Sequence, residues 1–147
     1  MFEQIYRFGH NLAENEYLVR GWGQPEAGFV WSEGSAATVS LPAPVGDIEI
    51  GISIWGYVTA SLPKQQVLIF INGLFKGYHE VSQREILTIQ HDCGKDARVI
   101  ELTFYIPTAT SPSQLEGAPD NRRLGIAIAA IRMVSAQESD QLLNSFQ

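Results

Sequence analysis

Apolar and polar positions alternate with period two along most of this chain. Ile48, Ile50, Ile52 and Ile54 alternate with Glu49, Gly51, Ser53 and Trp55, which puts the isoleucines on one face of a strand and Trp55 on the other. Val67, Ile69 and Ile71 repeat the device, with Leu68 and Phe70 opposite, and Ile100, Leu102, Phe104 and Ile106 repeat it against Glu101, Thr103 and Tyr105. Ile126, Ile128 and Ala130 alternate with small Ala127 and Ala129, so the last strand is expected to be covered on both faces. Shorter strands are expected over Gln4 to Phe8, Ala37 to Leu41, Phe75 to Val81 and Ile86 to Gln90.

The punctuation agrees. Asn72-Gly73 between two apolar runs is a strong hairpin signal, because both turn positions need φ > 0. Pro42, Pro44 and Pro63 bracket the isoleucine strand, Cys93 to Asp96 is a polar turn, and Pro107 to Asn121 is a longer loop. One helical turn fits Asn11 to Leu18, and Ser135 to Phe146 reads as a short polar helix or tail. The expectation is an all-β, two-sheet antiparallel β-sandwich of eight to nine strands over residues 1–134, with 135–147 as the tail.

Composition narrows the function classes. At 147 residues and 16.3 kDa, one domain is expected, with 45% hydrophobic and 18% charged residues arguing against disorder. A net charge of −6 and a pI near 4.9 argue against nucleic-acid binding. The single cysteine, Cys93, precludes an internal disulfide framework. No apolar run reaches membrane-span length, and the first fifteen residues lack a signal-peptide core, so a cytoplasmic location is expected.

Enzyme signals are weak. No GxSxG, HExxH, P-loop or GxGxxG motif is present, and no catalytic residue is expected. His91-Asp92-Cys93 holds a base, a carboxylate and a thiol, but neighbours at a strand end rarely converge, so a turn entry is the simpler reading. His10, His79 and His91 lie far apart in sequence without a metal-ligand motif, and no Asp-rich loop calls for calcium, so no metal or cofactor is expected. Ser111-Pro112 begins a turn.

The aromatic residues are more informative. Trp55 and Tyr57 share the face opposite the isoleucines, and Trp22 and Trp31 flank a turn-rich segment. Sugars stack their C–H faces on aromatic rings, so Trp55, Tyr57, Trp22 and Trp31 are candidates for a glycan platform. The alternatives are core packing and a protein interface. Glu26, Asp120, Arg122 and Arg123 are polar candidates. Their simplest reading is a structural ion pair, Arg122 or Arg123 bidentate with Asp120 or with Glu26, pinning the long loop to the last strand, and the sharper one is an arginine aimed at an acidic sugar or phosphate.

Taken in order, Gly21-Trp22, Pro25-Glu26, Trp31-Ser32-Glu33-Gly34, the strand ending in Asn72-Gly73, and Ser111-Pro112, Leu115, Asp120, Arg122-Arg123-Leu124-Gly125 form a set. Over residues 20 to 133 that set resembles a bacterial β-sandwich, jelly-roll-like domain of unknown function that accompanies glycosyltransferases and extracellular-polysaccharide systems. The resemblance implies a non-catalytic accessory domain, carbohydrate-binding or partnered with a polysaccharide-synthesis protein. A jelly roll brings segments near both termini together as neighbouring strands, so the first and last motifs are expected to meet, with Glu26 paired to Arg122 or Arg123 and Trp22 or Trp31 packed over the pair. The alternative is an assembly protein that self-associates, or binds a partner protein, through a sheet face. Its support is the pair of strands apolar on both faces, Val67 to Ile71 and Leu124 to Ile131.

Overall fold

The computed structural model describes residues 2–136. Ten strands make two antiparallel sheets: β1 (Glu3–Arg7), β2 (Leu18–Arg20), β3 (Val30–Glu33), β4 (Ala36–Pro42), β5 (Asp47–Gly56), β6 (Gln65–Ile71), β7 (Leu74–Val81), β8 (Glu85–Asp92), β9 (Val99–Tyr105) and β10 (Leu124–Ser135). The second sheet runs β2-β4-β9-β6-β7. In the first, β5 lies between β8 and β10. The other edge of β10 is shared end to end by β1, along Ala130–Val134, and by β3, along Leu124–Ile128. The first and last strands are therefore neighbours, as in a jelly roll.

Period-two alternation dictates the core. Ile48, Ile50, Ile52 and Ile54 of β5 are fully buried between the sheets, as are Val67, Ile69 and Ile71 of β6 and Ile100, Leu102 and Phe104 of β9. Each such side chain contributes about 1.5–3 kcal/mol. Asn72 (φ 50°) and Gly73 (φ 82°) close the β6–β7 hairpin in two residues, with Ile71 facing Leu74. The expected helical turn is a 3-10 helix over Ala13–Tyr17. In the long loop, Ser111 caps a short helix, α1 (Pro112–Glu116), by accepting from the Gln114 N–H at 3.2 Å. Of the tail expected at 135–147, Ser135 completes β10 and residues 137–147 lie outside the described residues.

Ten strands exceed the expected eight to nine because β2 and β3, three and four residues long, are too short to display a period. Tertiary contacts define them. Residues 21–33 fold back through Trp22–Ser32 and Glu26–Phe29 bridges. Trp22 turns towards the second sheet, its Nε1–H donating to the Thr38 carbonyl at 2.9 Å and its ring edge-on to Phe104 at 6.0 Å. β3 pairs with β10 in the first sheet. The segment thus links both layers.

The β3–β10 pairing is irregular between Leu124 and Ala127, and there the buried Ser32 hydroxyl accepts from the Ile126 N–H at 2.9 Å. A Cβ at Gly125 would stand 2.9 Å from Ile106 Cγ2 and 3.1 Å from Ser32 Oγ. The last sequence motif therefore needs a glycine for space. Gly125→Ala should destabilise the fold by about 1–3 kcal/mol through overpacking, and Ser32→Ala by about 1–3 kcal/mol through the orphaned Ile126 N–H. Denaturant titration of both variants measures this; wild-type midpoints would contradict it.

Candidate functional site: the outer face of the first sheet

The residues of β5 that alternate with the buried isoleucines point away from the core. Trp55 lies in register with Ala127 of β10, which lies in register with Trp31 of β3. Two indoles therefore flank one methyl group, and Ala127 is fully buried although it is on the outer side. Phe29 joins them, with ring centroids 5.1 Å from Trp55 and 5.9 Å from Trp31, and Tyr57 stands 6.3 Å from Trp31. Trp31 and Trp55 are themselves 6.4 Å apart, edge to face. Such pairs add about 0.5–1.5 kcal/mol each beyond area burial, so the cluster is rigid as well as apolar. Trp31, Trp55 and Tyr57 remain half-buried.

Beside this wall the sheet face is hollow. A depression of about 250 Å³ is floored by Gly51, Ser53 and Ala130, residues with almost no side chain, and bordered by Ile5, Ile86 and Val134. Glu49, Thr88 and Arg132 add polar groups. Gln90 Nε2 donates to Glu49 Oε2 at 3.1 Å, and Arg132 Nε meets Glu3 Oε1 at 3.3 Å. A shallower hollow of about 380 Å³ adjoins Trp55, Ser82, Gln83 and Arg84. Arg84 divides the two: its Nε–H donates to Ser53 Oγ at 3.1 Å, and its guanidinium lies 5.2 Å from the Trp55 ring centroid. The face thus combines a rigid aromatic wall, a floor of small residues, and donors and acceptors along one trough.

The structure brings together Trp55, Tyr57 and Trp31, but not Trp22, which packs against Phe104 and the core. The first and last motifs do meet, through Ser32 with Ile126 and the Gly34 N–H with the Arg123 carbonyl at 2.8 Å. Of the two carboxylates expected to pair with Arg122 or Arg123, Asp120 does so and Glu26 does not. Arg122 binds Asp120 with Nη2 on Oδ2 at 2.7 Å and Nε on Oδ1 at 3.0 Å, since two residues of one loop meet at less entropic cost than two distant segments. Those hydrogen bonds hold the Asp120 carboxyl below its ordinary range. Arg123 Nε–H donates to the Ala109 carbonyl at 2.8 Å, closing the base of the long loop. Glu26 Oε2 and Tyr57 Oη are buried without a hydrogen-bond partner among the described residues. Burial, then Glu116 and Asp120, pushes the Tyr57 hydroxyl pKa up.

Phe29 and Arg84 escaped the sequence reading. Phe29 stands two residues before Trp31 and so shares its side of the chain, a signal present in the sequence. Arg84 reaches Trp55 only through the β5–β8 pairing, and no local pattern announces it.

The His91-Asp92-Cys93 triplet is the strand end and turn entry of its simpler reading: His91 and Asp92 close β8, and Asp92 Oδ1 accepts from the Gly94 N–H at 2.9 Å. Burial, then Asp92 and Asp47, pushes the Cys93 thiol up, the opposite of an activated nucleophile. No group of three or more His, Cys, Asp or Glu positioned for a metal occurs among the described residues, and no described helix is long and apolar enough to cross a membrane.

No protein-family profile matches the chain, and no curated protein sequence matches it. Solved structures do. The fold is shared with carbohydrate-binding modules. A family 35 carbohydrate-binding module from Clostridium thermocellum superposes with a TM-score of 0.55 at 11% identity, covering 92% of this chain and 100% of that one. The C-terminal CBM6 of LamC, a marine laminarinase from Zobellia galactanivorans, gives 0.53 at 11% identity over 91% and 100%. The CBM36-1 domain of a multidomain xylanase from the hindgut metagenome of Trinervitermes trinervoides gives 0.52 at 16% identity over 92% and 98%. At these identities the likeness is one of fold, and function must be argued from the site.

The raised thiol makes a simple prediction. Cys93 in the native protein should react with a disulfide reagent at neutral pH far more slowly than in the denatured chain. Equal rates would show an accessible thiol of ordinary reactivity and contradict this.

Proposed function

We propose that this protein is a non-catalytic carbohydrate-binding domain that takes a glycan along the outer face of the first sheet. The observation that carries the reading is one face on which Trp31, Trp55 and Tyr57 stand beside a trough floored by Gly51, Ser53 and Ala130. An aromatic wall supplies stacking for the C–H face of a sugar ring, and the small floor lets the ring approach the sheet. Ser53, Thr88, Glu49 and Arg132 supply partners for hydroxyls. The trough is open, which suits a polymer segment better than an enclosed small molecule. The fold shared with carbohydrate-binding modules adds support at the level of architecture. An accessory role in bacterial polysaccharide biosynthesis rests on the resemblance over residues 20 to 133 and extends the same reading.

A glycan array at physiological salt, followed by calorimetry on the best hit, tests this. Trp55→Ala should weaken binding about tenfold or more while costing less than the ~3–5 kcal/mol of a fully buried tryptophan, because Trp55 is half-buried. Gly51→Val should also weaken binding. A Cβ there meets only Ile86 Cγ2, at an ordinary 3.4 Å, so this variant fills the trough with thermal stability kept. A blank array, or binding indifferent to both substitutions, would overturn the assignment.

A further inference from the structure

We infer, resting on the glycan reading of this face, that the trough takes an acidic polysaccharide, one whose sugar rings carry carboxylates, and that Arg7 and Arg84 select it. Strand register places the two charges. Across the outer face of the first sheet, Arg7 of β1 lies in register with Ala130 of β10, Ala130 with Ser53 of β5, and Ser53 with Ile86 of β8. Arg84 comes two residues before Ile86, on the same side of the chain, and its Nε–H reaches Ser53 Oγ at 3.1 Å. Ala130 and Ser53, two of the small residues of the floor, are therefore flanked by Arg7 on one side and Arg84 on the other. With strands about 4.8 Å apart, Arg7 and Ser53 stand about 10 Å from each other along the sheet, a span that one sugar ring and an arginine side chain fill.

Neither arginine is spent inside the protein. Among the described residues Arg7 has no hydrogen bond or ion pair, whereas Arg20, Arg122 and Arg132 each hold a carboxylate of their own. Arg84 is fixed by its Nε–H on Ser53 and by the Trp55 ring, whose centroid lies 5.2 Å away, and its Nη groups make no hydrogen bond. A guanidinium held in this way offers paired donors to a carboxylate at little further cost in side-chain freedom. The acidic groups nearby are turned elsewhere. Glu85 takes the other side of β8, in register with the core residue Ile54, and Glu3 meets Arg132. Glu49 lies at the far end of the trough, in register with Gln90. The aromatic end of the trough is thus positive in a chain of net charge −6. Such a chain repels polyanions at large, so an acidic polymer needs a local site of this kind to bind.

Calorimetry at physiological salt tests this, with polygalacturonate, alginate and hyaluronan as probes, each beside its carboxyl-reduced, neutral counterpart. At least one of the three should bind about tenfold or more tighter than its counterpart. On that polymer Arg7→Gln and Arg84→Gln should each weaken binding about fivefold or more with the thermal melt kept, while the neutral counterpart binds both variants as it binds the wild type. Arg98→Gln makes the same change of charge outside the trough and should leave binding unaltered. Acidic and neutral polymers bound equally, binding indifferent to Arg7→Gln and Arg84→Gln, or an equal loss in Arg98→Gln would overturn the proposal. So would displacement of the acidic polymer by dextran sulfate at equal charge, because the arginines would then be answering any polyanion. Failure of all three acidic polymers alongside a neutral hit on the array, sensitive to Trp55→Ala, would overturn the acidic class and leave the glycan site standing.

Discussion

Everything in this molecule leans on the first half of β10. Residues 124–129 are buried on both faces, with Ile126 and Ile128 in the core and Ala127 beneath two indoles. Both edges are paired as well, β5 on one and β3 on the other. A strand enclosed on four sides tolerates neither bulk nor an unpaired amide. Gly125 answers the first demand and the Ser32 hydroxyl the second, supplying an acceptor where the ladder to β3 slips. The sharpest sequence motifs are thus the fittings of one crowded joint.

That joint also builds the candidate site. Were the residue at 127 large, Trp31 and Trp55 could not lie on either side of it at 6.4 Å, and the outer face would carry a ridge in place of a wall. The alternation that buries the isoleucines of β5 leaves Glu49, Gly51, Ser53 and Trp55 facing out, in an order running from charged through small to aromatic. Core and trough are two readings of one period-two pattern. A register slip of a single residue in β5 would send the isoleucines to solvent and the tryptophan to the core.

The sequence carried the parts of the fold that local chemistry decides. The isoleucine alternation, the Asn72-Gly73 turn and the placement of Trp55 and Tyr57 opposite the core each follow from two- or four-residue rules. What was hidden depends on distant partners. Trp22 and Trp31 stand nine residues apart in one turn-rich segment and look alike as sequence, yet one turns in towards Phe104 and the other lies on the outer face. No period runs through that segment to separate them. Glu26 and Asp120 competed for the same arginine, and the nearer carboxylate holds it. Arg84 becomes part of the wall only because β8 returns from the second sheet to pair beside β5.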